Sequence, residues 1–427
     1  MFERFNKKFP LDQARETTRR LISAQGESNA QSIAVKLIEQ YEQLDKDQRK
    51  VFFDYIASDF NPDPQKVKEI ADAYAADPSA SNLIALCRRT EPLRQELLRR
   101  INRAPGGTQA IVHMRKALLP LIKEHDAWKA IDADMHHLLS SWFNPGFLEL
   151  HQITWESPAE LLEKIIQHES VHAIDGWDDL RRRLQPDRRC YAFFHRQLPK
   201  EPLIFVEIAL VPSISREIST LISKDSAVTE PKKFKAAIFY SISNCQPGLR
   251  GVSLGNFLIK RVAQKLAEDI PTLKIFSTLS PIPGLTKWFD AGAPLDVSKL
   301  TPVLNRKISE ARRIVGIPGK NWTDRLKGQW HPDQCSDKER RAFLGLTAAY
   351  LMYFTTSRSG DAVANFHLSN GATLHQVNWA ADLSSKGLQQ SAGMMVNYLY
   401  ELDKVEEQHE SFSKGNVTWS RAVEKLI

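Results

Sequence analysis

From about residue 10 to residue 185, apolar positions recur at three- and four-residue intervals, the spacing that gives a helix one buried face. The stretches 11–24, 32–44, 80–102 and 108–143 all carry this pattern. It is interrupted at Pro62 and Pro64, at Pro105-Gly106-Gly107 and at Pro145-Gly146, where proline and glycine stop a helix. Long amphipathic segments with short breaks predict an antiparallel helical bundle. From residue 190 the period shortens. Residues 190–196, 203–211, 234–243 and 274–280 are runs rich in β-branched and aromatic side chains, as strands are. The connection QLPKEP suits a hairpin between the first two. An amphipathic helix is predicted over 256–269, a turn into a short helix over 281–289, and further helices over 301–315, 338–354 and 384–404. The stretch 364–379 reads as a hairpin turning at Asn370-Gly371. His367 would then project opposite to its neighbours Phe366 and Leu368. Linkers are expected at 185–189, 212–232 and 318–337. The fold class expected is α+β, with an all-α helical domain over 1–185 and an α/β domain over 186–427.

Composition narrows the partners only slightly. The 427 residues include 58 Lys+Arg and 51 Asp+Glu, a formal charge of +7, which favours anionic ligands without choosing among them. No apolar run reaches the ~18 residues of a membrane span. Four well-separated cysteines (Cys87, Cys190, Cys245 and Cys335) suit a reducing compartment better than a disulfide framework. The first twenty residues lack a secretory core and carry acids early, so a cytoplasmic location is expected.

Three features carry candidate chemistry. His168-Glu169-Ser170-Val171-His172 has the spacing of a zinc-binding HExxH helix. However, Asp175-Gly176 breaks the helix within a turn and no third histidine follows at the metzincin spacing, so no metal is expected. Basic clusters at Arg99-Arg100, Arg181-Arg182-Arg183 and Arg188-Arg189 come with interspersed acids and no nucleic-acid motif. They read as solvated faces or internal ion pairs, and no nucleic-acid partner is expected. The third feature is a strand, a loop with Gly248, Gly251 and Gly255, and a helix. Glycines at a helix mouth permit close approach of a phosphate to backbone N–H groups, although the spacing is that of neither a P-loop nor GxGxxG. Ser280, in Ser-Pro-Ile-Pro-Gly at a strand tip, is held by a proline-stiffened turn.

FYSISNCQPGLRGVSLGNFLIKRV (239–262) and IFSTLSPIPGLTKWF (275–289) resemble the malonyl-CoA decarboxylase family. So do CYAFFHRQLPKEPLIFVEIALV (190–211), VANFHLSNGATLHQVNWAADLSSKG (363–387) and GMMVNYLYEL (393–402). The resemblance implies a catalytic domain with an acetyltransferase-superfamily-like fold that binds coenzyme A. It places the pyrophosphate on the backbone of the loop 246–256, at Gly248, Leu249, Arg250, Gly251, Val252, Ser253, Gly255 and Asn256. It also implies catalysis by Ser280 and His367 supported by Tyr400, a malonyl-CoA substrate, and no metal or separate cofactor. Self-association through the helical half, as a homo-oligomer, is implied as well. One departure stands out: the family pattern GVELG carries a glutamate where this chain has Ser253, so a role for that carboxylate cannot be transferred. The alternatives on the same fold are an acyl-CoA N-acyltransferase and a non-catalytic CoA-binding protein.

Overall fold

The computed structural model describes residues 10–24, 27–252, 254, 258–317, 321–326, 330–357 and 359–427. The chain forms two compact units. The first comprises Met1–Glu149 with Phe194–Leu203 and Gln246–Leu254, and the second comprises Leu150–Phe193, Ile204–Cys245 and Gly255–Ile427.

The first unit is helical, as the periodicity predicts. Helices Ala30–Glu42, Lys46–Asp59, Leu93–Asn102, Gly107–Leu118 and Trp128–Trp142 turn their apolar faces inward. Leu37, Phe53, Leu97, Ile111 and Met135 are buried there. Two expected long helices are each split. Pro92 separates Ala80–Thr90 from Leu93–Asn102, and 119–127 separates Gly107–Leu118 from Trp128–Trp142. The helices Pro64–Ala76 and Ala80–Thr90 bury none of their residues, and Leu83 and Ile84 are 43% and 52% exposed.

The second unit is built on a mixed sheet of β1 (Leu148–Ile153), β2 (Arg188–His195), β3 (Ile204–Val211), β4 (Ala236–Asn244), β5 (Ile275–Thr278), β6 (Ser280–Pro281), β7 (Thr373–Asn378) and β8 (Met395–Leu399), in the order β1-β2-β3-β4-β5-β8-β6 with β7 on β8. β1 lies within the stretch read as helical. β2 and β3 form the expected hairpin, with Arg188 opposite Ala209 and Phe193 opposite Ile204. β4 and β5 run parallel, joined by the helix Leu258–Asp269 as a parallel crossover requires. β3 is buried along its whole length. The pairing of β4 with β5 ends at Phe239 and Thr278, while β4 itself continues to Asn244.

Two sequence expectations are corrected here. Residues 364–379 do not form a hairpin. Ala362–Ser369 is a helix, capped by Asp361 accepting from Val363 and Ala364 N–H, and only Thr373–Asn378 is a strand. Asn370-Gly371 is the helix terminus, with Gly371 at φ +79°, the left-handed position that commonly ends a helix. Residues 384–404 do not form one helix either. Ser385–Ser391 is helical, Ala392 and Gly393 turn at positive φ, and the β-branched and aromatic run that follows becomes β8.

Three arginines of the basic clusters resolve into internal ion pairs, while Arg181 pairs with Asp178 on the surface. Arg183 binds Asp179 (3.0 Å) and Glu207 (2.9 Å), and Arg182 and Arg188 share Asp187 at 2.8 Å each, all buried.

Candidate active site

Ser280 begins β6, two residues beyond Thr278 at the end of β5, and is paired opposite Val396 of β8. Tyr400 follows β8 directly, its N–H bonded to the Phe276 carbonyl at 2.8 Å. His367 comes from the capped helix Ala362–Ser369. Asp361 does more than cap this helix: its Oδ2 also accepts the Gly284 N–H at 3.0 Å. The Ser-Pro-Ile-Pro-Gly turn and the histidine helix are thereby fastened to each other.

Three residues far apart in sequence thus meet. Ser280 Oγ lies 2.9 Å from His367 Nε2, and His367 Nδ1 lies 2.9 Å from Tyr400 Oη. All three are at most 5% exposed. The imidazole stacks on Tyr398, with ring centroids 4.6 Å apart and planes at 24°. Burial holds His367 down to about 3 and raises the Tyr400 phenol well above its ordinary value, so both are neutral near pH 7.

The hydroxyl and the imidazole border a cavity of about 280 Å³ whose other walls include Val171, Ile204, Phe239, Val363 and Phe366. No lysine or arginine lines it among the described residues.

The glycine loop belongs to the first unit. Gly248 packs so tightly that a Cβ there would meet the Val112 carbonyl at 2.0 Å, and Gly251 has φ +82°. Arg115, buried and paired with Asp132, donates from Nη1 to the carbonyls of Gly248 (2.9 Å) and Arg250 (2.8 Å). His136 Nε2 contacts the Gly251 carbonyl at 2.9 Å. The N–H groups of Leu249, Arg250 and Val252 are engaged in turns to Gln246, Pro247 and Leu249. Ser253, Gly255 and Asn256 lie outside the described residues.

The HExxH segment is not a helix face. Its helix ends at His168 with Glu169 as the cap residue. Glu169 accepts from the N–H groups of Val171 and His172 and from the hydroxyls of Ser241 (2.6 Å) and Ser243 (3.3 Å). That carboxylate anchors a wall of the cavity to β4. Among the described residues, no group of three or more His, Cys, Asp or Glu side chains could hold a metal ion.

Sequence reading missed Thr278, Asp361, Arg115 and His136, and it named Glu169 only within the HExxH motif. Two signals were available: Thr278 shares a strand face with Ser280 by the two-residue period, and Asp361 precedes a helix as an N-cap residue does.

A buried hydroxyl–imidazole–phenol chain borders an apolar cavity in a mixed α/β unit, an arrangement of the chemical class that can hold and pass a proton. Comparison with known proteins specifies the family. Residues 146–427 match the model of the malonyl-CoA decarboxylase C-terminal domain, and residues 60–143 match that of the N-terminal domain. The chain belongs to the malonyl-CoA decarboxylase family. It is 40% identical over 333 residues to the mitochondrial malonyl-CoA decarboxylase of Anser anser anser, and 39% over 330 residues to that of Rattus norvegicus. Each match covers 73% of this chain but only 64% and 66% of those relatives' own lengths. The crystal structure of malonyl-CoA decarboxylase from Rhodopseudomonas palustris is 41% identical, with 97% of this chain and 99% of that one covered and a TM-score of 0.84.

Proposed function

We propose that the protein converts malonyl-CoA to acetyl-CoA and CO2, with Ser280 delivering the proton and His367 and Tyr400 setting its hydrogen bonds. The observation that carries this reading is the Ser280–His367–Tyr400 chain at the edge of an apolar cavity. Loss of CO2 leaves an electron pair in the thioester enolate, so the reaction needs donors at the carbonyl oxygen and a proton at C2. The apolar walls favour departure of the carboxylate, whose charge is poorly solvated there. β4 extends past its last β5 partner, Phe239, and backbone N–H groups on that edge are donors a thioester carbonyl can use. The pyrophosphate is assigned to the loop 246–256. No metal or organic cofactor enters the scheme.

An N-acyltransferase would need a base to deprotonate an amine, and an imidazole held down to about 3 is a poor one. The unburied helices Pro64–Ala76 and Ala80–Thr90 support self-association through the helical unit, which light scattering tests. No helix among the described residues is long and apolar enough to cross a membrane. A cytoplasmic location is part of the same reading. The goose and rat relatives are named mitochondrial, so fractionation against a matrix marker decides between the two.

The central test incubates purified protein with malonyl-CoA alone and follows acetyl-CoA and CO2, without amine or added metal and with a chelator control. Turnover unaffected by chelator is expected; no turnover overturns the reading. Ser280→Ala and His367→Asn should each lower turnover by roughly 10²-fold or more while CoA binding, followed by calorimetry, survives.

A further inference from the structure

The turn at the centre of the glycine loop has a defined form. Arg250 has φ −53° and ψ 127°, Gly251 has φ +82°, and the Val252 N–H donates to the Leu249 carbonyl at 2.9 Å. These are the marks of a type II turn over residues 249–252, whose third residue must adopt positive φ. Type I and type II turns differ in the direction of the peptide between their two central residues. Here that peptide joins Arg250 to Gly251. Its direction decides whether the turn offers a ligand a carbonyl or an N–H.

A buried cation makes that choice. Arg115, on the helix Gly107–Leu118, is 3% exposed. Its Nη1 donates to the carbonyls of Gly248 at 2.9 Å and Arg250 at 2.8 Å, and its Nε donates to Asp132 at 2.8 Å. A trans peptide is planar, with its N–H opposite its C=O. With the Arg250 carbonyl turned toward Arg115, the Gly251 N–H points away from the guanidinium, and Gly251 is exposed. In a type I turn the peptide would be reversed. The N–H would then face a positive charge, and the Arg250 carbonyl would lose a charged donor, the stronger kind of hydrogen-bond partner. The guanidinium therefore holds the type II form. His136 fixes the next peptide: its Nε2 is the donor to the Gly251 carbonyl at 2.9 Å, since a carbonyl oxygen only accepts. The N–H groups of Leu249, Arg250 and Val252 are engaged within the loop, whereas that of Gly251 has no acceptor among the described residues. An outward backbone N–H in such a turn is a donor for an anion.

We propose that Arg115 is a positioning residue for coenzyme A: it holds the Arg250–Gly251 peptide so that the Gly251 N–H donates to a pyrophosphate oxygen. This inference rests on the assignment of the pyrophosphate to the loop 246–256. Arg115 does not touch the ligand. It acts through the two carbonyls it binds, and Asp132 keeps the guanidinium in register with them. The helices of the first unit then do more than associate, because one of them shapes the loop that meets the substrate's phosphates.

The test measures CoA affinity by calorimetry beside malonyl-CoA kinetics. Arg115→Met keeps the apolar stem and removes the guanidinium. It should raise the Kd for CoA by about 10-fold or more. The KM for malonyl-CoA should rise with it while kcat stays within about 3-fold of the parent, the pattern of lost uniform binding. Dephospho-CoA, which lacks the 3′-phosphate but keeps the pyrophosphate, should lose affinity to the same extent. Arg115→Lys, which keeps the charge but not the planar fork, should fall between parent and Arg115→Met. Gly251→Ala approaches the same peptide from the other side. A Cβ there meets His136 Nε2 at 3.5 Å, an ordinary contact, but opposes φ +82° and so drives the turn toward type I. It should weaken CoA binding in the same way, and it reads the proposal should Arg115→Met not fold. A Kd for CoA within about 2-fold of the parent in either variant overturns the proposal. So does a fall in kcat at unchanged KM, the mark of a general loosening, or a loss confined to CoA and absent with dephospho-CoA. A parent that binds no CoA overturns the assignment of the loop and this inference with it. A parent that binds CoA without turning over malonyl-CoA overturns the decarboxylase reading alone.

Discussion

Tyr400 Oη has one polar partner among the described residues, His367 Nδ1 at 2.9 Å, and that bond selects a tautomer. A phenol that must donate somewhere gives its hydrogen to Nδ1, leaving Nε2 to carry the imidazole hydrogen toward Ser280. Tyr400→Phe removes the constraint. Nδ1 can then hold the hydrogen, Nε2 becomes an acceptor, and it competes for the serine hydrogen. Turnover should fall roughly 10-fold, less than in Ser280→Ala, since general acid catalysis is weakened rather than removed. The nitrogen chemical shifts of His367 should show the Nε2–H form in the parent and a larger share of Nδ1–H in the variant. Unchanged shifts together with unchanged turnover would remove Tyr400 from the mechanism. At this scale the sequence was informative about residue types but silent on partners. Ser280, His367 and Tyr400 were named through the family resemblance, whereas Thr278, only two residues from Ser280, was passed over. Its hydroxyl could have been structural, and only the 2.9 Å from Ser280 Oγ joins it to the chain, as the acceptor.

The element that decides the site is the helix Ala362–Ser369, and its start depends on one carboxylate. Asp361 caps the helix and also accepts the Gly284 N–H across the Ser-Pro-Ile-Pro-Gly turn. Gly284 is confined: a Cβ there would meet Tyr350 Oη at 2.3 Å and Asp361 Oδ2 at 3.1 Å. Gly284→Ala should therefore displace Asp361, loosen the helix and move His367 away from Ser280. We expect a loss of about 1–2 kcal/mol, the size of a lost N-cap, together with a fall in turnover exceeding 10-fold. Chemical denaturation and turnover assays read the two effects; parent-like values in both would show that the clash relaxes elsewhere. The same helix shows why the sequence misled. Asn-Gly after alternating residues is a hairpin signal, yet Asn-Gly is equally a helix ending. The tie was broken by the Asp361 cap and its bond to a turn 77 residues away in sequence.

Across the whole molecule, His367 and His172 stand out among the described buried histidines, held down to about 3 and about 4. For both the first cause is burial; at His172 the charge of Asp382 opposes it and those of Arg183 and Lys386 add to it. Both folded values lie below the ordinary value near 6.5. Below that pH the unfolded chain binds protons that the folded chain refuses, so stability is lost as pH falls from about 6.5 toward 3–4. Each group removes on the order of 1 kcal/mol per pH unit over that window. The Tm should be lower at pH 5 than at pH 7, and His172→Gln should flatten the drop; a Tm that ignores pH over this range would contradict the assignment. The sequence by itself determined that a helical half precedes a half with strands, because apolar periods of three to four and of two follow from local geometry alone. It also carried the family resemblance, written in short contiguous stretches. Only the tertiary structure decided that Arg182, Arg183 and Arg188 form buried ion pairs, that Glu169 braces a strand and that His367 stands on a helix. It alone brought Thr278, Ser280, His367 and Tyr400 into one chain. Those outcomes depend on which residues face one another across the fold, and hydrogen bonds between distant positions leave no periodic trace along the chain.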